Sequence, residues 1–144
     1  MNNAFSVFTL IVTLLTGATV GADELGCPAR VSVSQQIGKV PSPWVASYAK
    51  APLTLGGVTF YDGHPSEMAS LVYDDEKTSG NTIVATWFFR AGTSARGFWL
   101  SCRYNQTTAV LSRQIPRNIT ECSVTYNSKE TVSGHYVIKA IKCK

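Results

Sequence analysis

GVTFYDGHPSEMASLVYDD, residues 57–75, is the stretch whose reading decides the fold. Val58 and Phe60 alternate with Thr59 and Tyr61, Asp62-Gly63 and Pro65 reverse the chain, and Ala69, Leu71 and Tyr73 resume the alternation. Period-two patterning on both sides of a Gly/Pro reversal predicts a β-hairpin with a polar tip. The tip carries Asp62, His64, Ser66 and Glu67, the densest group of chemically able side chains in the chain, with Tyr61 leading into it. Gly63 supplies the positive φ that such a turn needs.

Strands continue outward from this hairpin in both directions. Upstream, PARVSVSQQ at residues 28–36 alternates Val31 and Val33 with Arg30, Ser32 and Ser34, and predicts a first strand. Val40 to Trp44 (VPSPW) has two prolines and predicts an extended connector, with Trp44 packed as a lid on the core. Downstream, Asp74 to Asn81 is read as a charged, solvated turn; its three consecutive acids lack the alternating ligand spacing and distal glutamate of a calcium loop. Ile83 to Phe89 is apolar on both faces and predicts a central strand. Phe98–Tyr104, Thr108–Ile115, Glu121–Tyr126 and His135–Cys143 follow as strands, with turns at Asn105-Gln106 and Ser133-Gly134 and Pro116 in a loop. The expectation is an all-β domain of about eight antiparallel strands in a meander, closed as a small barrel or stacked as a two-sheet sandwich.

The amino terminus sets the compartment. Residues 1–22 contain no charged side chain, and Ala4 to Leu15 is an apolar run of signal-peptide length, too short to span a bilayer. Val20 and Ala22 stand where a signal peptidase reads, so cleavage after Ala22 and export to the periplasm are expected, leaving residues 23–144 as one domain with no stable membrane anchor. The leader MNN lacks the usual Lys or Arg. A lipoprotein at Cys27 is disfavoured by Asp23 and Glu24.

All four cysteines lie in the exported part, which predicts two disulfides and leaves no thiolate for catalysis. The expected pairing is Cys27 with Cys143 and Cys102 with Cys122: the first would tie the ends of the domain, and both sulfurs of the second lie on inward faces of their strands. By loop entropy the long bridge would contribute about 4–5 kcal/mol and the short one about 3 kcal/mol. Zinc fails on spacing, because no two cysteines sit two to four residues apart. No metal and no other cofactor is expected.

Two enzymatic readings of the tip can be drawn. His64 could act as a base oriented by Asp62 beside Ser66, or Asp62 and Glu67 could form a carboxylate pair, which together make a hydrolase using Asp62, His64 and Glu67 the weakest alternative. No G-x-S-x-G nucleophile elbow occurs. The net charge is +4, and Arg90, Arg96, Arg103, Arg113 and Arg117 fall in the second half; Arg103 and Arg113, flanking the Asn105 turn, could share a face suited to an anionic partner, with plain solubility as the equal alternative. Export excludes nucleic acid as that partner. The sequons at Asn105 and Asn118 would accept glycans in a eukaryotic secretory pathway and are expected to be chance occurrences in a bacterial one.

Four segments together resemble a family of small bacterial periplasmic four-cysteine proteins: CPARVSVSQQ from Cys27, the 57–75 hairpin, WLSCRY at 99–104 and ECSV at 121–124, spanning most of residues 27–126. The joint pattern FYDG-x-P-x-E is the specific part; the family usually has proline where this chain has Tyr73. The resemblance implies no catalytic residues. It implies that some members are immunity proteins that plug periplasmic, cell-wall-acting toxins. The expected function is therefore a non-enzymatic binding protein whose partner is a periplasmic toxin or cell-wall enzyme, contacted through Tyr61, Asp62, His64, Ser66 and Glu67. A small-ligand-binding β-barrel is the second reading.

Overall fold

The computed structural model describes residues 25–36, 38–47, 52–90 and 92–144. The expected signal peptide and its cleavage site after Ala22 lie outside the described residues. Alternation of apolar and polar residues yields eight strands: β1 Arg30–Val31, β2 Leu53–Asp62, β3 Asp75–Ser79, β4 Thr82–Phe88, β5 Phe98–Tyr104, β6 Val110–Gln114, β7 Glu121–Val132 and β8 His135–Cys143. They form two four-stranded antiparallel sheets, ordered β1-β2-β5-β6 and β3-β4-β7-β8. The all-β, eight-strand, two-disulfide expectation holds, as the sandwich and not as the closed barrel.

The chain is not a continuous meander. It lays two strands in the first sheet, two in the second, two more in the first and two more in the second. The reason lies in which faces must be buried. Phe60 on β2 and Leu100 on β5 are cross-strand partners with no exposed surface, and Ala85, Trp87, Cys122 and Val124 supply the facing layer from β4 and β7. Phe60 meets Trp87 at a ring-centroid distance of 4.7 Å and Phe89 at 5.5 Å, so one aromatic joins the sheets.

The turns obey local chemistry. Ser133 (φ 52°) and Gly134 (φ 80°) occupy a two-residue hairpin loop in which both central residues take positive φ. Gly80 (φ 57°) opens the two-residue loop between β3 and β4. That hairpin corrects the reading of Asp74–Asn81 as a charged loop: Asp75–Ser79 is an edge strand, and its Asp75, Glu76 and Lys77 charges suit an edge that must not pair further.

Three other expectations are corrected. The first strand shrinks to Arg30–Val31, because only these two residues find partners, on Thr54 and Leu53. Trp44 is no lid: it is 75% exposed, on a turn closed by its N–H to the Pro41 carbonyl. The return arm of the 57–75 hairpin is not a strand; Tyr61 bridges Ser70 alone, and the chain then leaves for the second sheet.

The disulfides are Cys27–Cys102 and Cys122–Cys143, not the expected Cys27–Cys143 and Cys102–Cys122. Topology explains the exchange. Cys122 and Cys143 are direct cross-strand partners on β7 and β8, while Cys102 lies on β5 in the other sheet. The segment holding Cys27 runs into β1 and is held to the first sheet by the Tyr104 hydroxyl, which donates to the Pro28 carbonyl at 3.0 Å, and by the Leu55 N–H on the Ala29 carbonyl. No described disulfide crosses between the sheets; the apolar layer holds them face to face, aided by Leu71, whose N–H donates to the Phe60 carbonyl and whose carbonyl accepts from the Trp87 indole.

Burial raises the phenol pKa of Tyr104, and chiefly burial raises that of Tyr126. Their neutral forms are thus favoured by folding, a contribution present below the free phenol value of about 10 and lost as the pH climbs through the raised folded values. Urea midpoints should hold steady from neutral pH to about 9 and fall above about 10. Tyr126→Phe should flatten that fall, and an unchanged alkaline limb in the variant would assign it elsewhere.

Candidate functional site

The tip is built by three peptide reversals in seven residues. Gly63 (φ 93°) donates its N–H to the Gly97 carbonyl at 2.8 Å, and a Cβ at this position would lie 3.1 Å from both the Arg96 Nε and a Glu67 carboxylate oxygen. Glycine is therefore demanded here twice, by backbone conformation and by crowding. His64 caps the single 3₁₀ turn Pro65–Glu67: its Nδ1 accepts from the Ser66 N–H at 3.3 Å, while Glu67 reaches back to accept the His64 N–H at 3.2 Å. This reciprocal arrangement is a capping box, with histidine in the place usually held by serine or threonine. Met68 leaves the turn in the left-handed region (φ 58°), and the Ala69 carbonyl accepts from the Asp62 N–H at 2.9 Å.

The residue that organises the tip comes from another part of the chain. Arg96, on the loop before β5, pairs with Asp62 at 3.3 Å and with Glu67 through a short hydrogen bond. The Glu67 hydrogen bond, then its charge, raise the Arg96 pKa further above its usual value, with a smaller contribution from Asp62. Ser94 donates to the other Asp62 oxygen. One guanidinium thus gathers both tip carboxylates, joining the end of β2 to the start of β5.

Both enzymatic readings can be set against this geometry. Asp62 turns to Arg96 and Ser94, while the His64 Nδ1 lies 2.7 Å from the Ser66 Oγ, so the acid and the histidine of the conjectured relay engage different partners. The carboxylate pair Asp62 and Glu67 is held by a shared cation rather than across an open gap. Among the described residues, no group of three or more His, Cys, Asp or Glu is placed to hold a metal.

Contact chemistry is better served. The His64 ring meets Trp99 edge-to-face at 4.8 Å, and Trp99 is the cross-strand partner of Tyr61. Tyr61, His64 and Trp99 thus stand together on the face of the first sheet opposite the core. On the segment that leaves the tip, Met68 and Val72 are 83% and 81% exposed. The structure brings together every tip residue read from sequence and adds Arg96, Ser94, Trp99 and Met68. A loop of Thr93-Ser94-Ala95-Arg96-Gly97 just ahead of a strong strand was the available signal for Arg96, but the pairing of β2 with β5 that aims it cannot be read locally.

Arg103 and Arg113 do not share a face. Arg113 lies opposite Leu100 and so on the core side of β6, whereas Arg103 lies opposite Val110 and Gly57 on the outer side. A turn between two strands reverses the chain, and which residues face alike follows from register, which the Asn105 turn displaces.

Fold and site define a class: a disulfide-tied β-sandwich with a polar, aromatic-backed loop whose two carboxylates share one guanidinium. Comparison gives the family. The model of the Type VI secretion system Tli immunity protein family matches residues 50–144, more than half of the chain, and the chain belongs to that family. It is also similar to an uncharacterized 16.3 kDa protein in the trpG 5' region of Azospirillum brasilense, 32% identical over 125 residues that cover 81% of this chain and 82% of that protein. No solved structure matches.

Proposed function

We propose that this immunity protein is exported by its first 22 residues, oxidised in the periplasm, and neutralises a type VI toxin there by stoichiometric binding, with Tyr61, Asp62, His64, Ser66 and Glu67 as the toxin-facing surface. Family membership supports the toxin as partner. The observation that carries the site is the Arg96 clamp on Asp62 and Glu67. A loop already ordered before contact loses little conformational entropy on binding, which is the main route to high affinity from a small surface. The aromatic side chains, with exposed Met68 and Val72 on the segment that leaves the tip, provide the apolar anchors that such surfaces use. No chemical step at the tip is needed for this action.

Titration calorimetry of the oxidised mature chain against the type VI toxin tests the reading. Wild type should form a one-to-one complex, and Tyr61→Ala/His64→Ala should weaken it by about 100-fold, equivalent to about 2.7 kcal/mol. Arg96→Ala should weaken it by about tenfold with little change in the unfolding midpoint, because the clamp is solvent-exposed. Unchanged affinity in both variants would move the interface away from the tip.

A further inference from the structure

Tyr61 and Trp99 stand at one end of a longer face. On the first sheet the core side is fixed by the buried partners Phe60 and Leu100, so the residues next to them in sequence point the other way. Away from Tyr61 and Trp99, the outward pairs are Thr59 with Ser101 and then Gly57 with Arg103. Beyond these comes Thr54 beside Asn105, whose side-chain amide donates to the Thr54 hydroxyl at 3.1 Å. β1 adds Arg30 next to Thr54: Val31 and Leu53 pack on the core, so Arg30 and Thr54 face outward. The crossover adds Val72 on the same side, because Ser70 bridges Tyr61 and the Leu71 N–H bonds to the Phe60 carbonyl.

This face is basic at the end away from the tip. Arg30 and Arg103 are both exposed, and among the described residues no hydrogen bond or ion pair engages either guanidinium. The Tyr126 phenol, which senses the Arg103 charge, is neutral and cannot form an ion pair with it. Among the described residues, no carboxylate projects from the outward rows between Trp99 and Asn105. Arg103 is also seated. A Cβ on Gly57, its cross-strand partner, would come 2.5 Å from a terminal guanidinium nitrogen, so the missing side chain lets the guanidinium lie over β2. The φ of Gly57 is not positive, so room for Arg103, rather than backbone conformation, is what glycine supplies there.

We infer that the toxin contact runs along this whole face, with Arg30 and Arg103 meeting an acidic patch on the toxin. That patch lies about 14–20 Å from the point that receives the tip, the length of four to six residues of strand from Trp99. The inference rests on the toxin-binding reading and extends it. A stable protein–protein contact takes about 20–30 residues a side, more than the tip supplies. The planar guanidinium pairs with a carboxylate through two parallel hydrogen bonds, and complementary charge across an interface speeds association and fixes register.

The test measures affinity and association rate of the type VI toxin on the oxidised mature chain by surface plasmon resonance, beside urea midpoints. Arg30→Glu/Arg103→Glu should weaken binding by about 100-fold and slow association, with the midpoint kept because both side chains are exposed. Lys77→Glu/Lys142→Glu makes the same charge change on the second sheet and should bind within about threefold of wild type, since screening confines charge effects to about 8 Å at physiological salt. Gly57→Ala keeps every charge and displaces only the end of the flexible Arg103 side chain; it should fold as wild type does and weaken binding about tenfold. Equal weakening by the two charge-reversal pairs would mean attraction by net charge alone and overturns the proposal, as does wild-type affinity in Arg30→Glu/Arg103→Glu. In that second case, loss of binding in Tyr61→Ala/His64→Ala leaves the tip reading standing. Binding that depends on the arginines and on Gly57 but ignores the tip changes upholds the acidic-patch contact and refutes the tip.

Discussion

Phe60→Ala is expected to lower the unfolding free energy of the oxidised protein by about 3–5 kcal/mol, the range for removing a fully buried phenylalanine. Phe60 has no exposed surface, packs on Leu100 within its own sheet, and reaches Trp87 and Phe89 in the other. Because no described disulfide spans the sheets, the cavity left by the ring opens at the layer that holds them together. Against a typical total of about 5–15 kcal/mol, the loss is large enough to populate unfolded chain at ambient temperature. Urea titration measures it; a change below about 1 kcal/mol would mean that the layer closes around the gap and that Phe60 is not its keystone.

The second large effect is loss of the Cys27–Cys102 bridge. It closes 75 residues of chain, against 21 for Cys122–Cys143. Under the loop-entropy account Cys27→Ser/Cys102→Ser should cost about 4–5 kcal/mol, and Cys122→Ser/Cys143→Ser about 3 kcal/mol. The order follows from connectivity, so proteolytic mapping of the oxidised chain checks it independently. A peptide joining Cys27 to Cys143 would contradict the fold itself, since it would require the Cys143 side chain to leave its cross-strand partner Cys122.

Strands whose alternation is uninterrupted were legible from sequence. Phe98–Tyr104 and His135–Cys143 were read with the bounds they have in the structure, and the inward faces assigned to Cys102 and Cys122 are buried. Where side chains mislead, the reading failed. Asp74 to Asn81 looks like a solvated loop because an edge strand keeps its charges outside, and the Ala69 to Tyr73 arm looks like a strand because a crossover can alternate without pairing. The pairing of β2 with β5 and of β4 with β7 skips neighbours, and both the Cys27–Cys102 bridge and the Arg96 clamp follow from the first of these skips. Residues 62–67 could be marked as a cluster because they are adjacent in sequence. What holds them, a guanidinium from residue 96, depends on tertiary placement that no local pattern carries.

The account turns on binding rather than turnover. Its most direct test is the residual activity of a fixed amount of type VI toxin against increasing oxidised immunity protein. Inhibition should rise linearly, reach completion at one equivalent, stay constant with time, and yield chemically intact toxin after the complex is unfolded. Complete inhibition by far less than one equivalent, growing with incubation and leaving altered toxin, would contradict it.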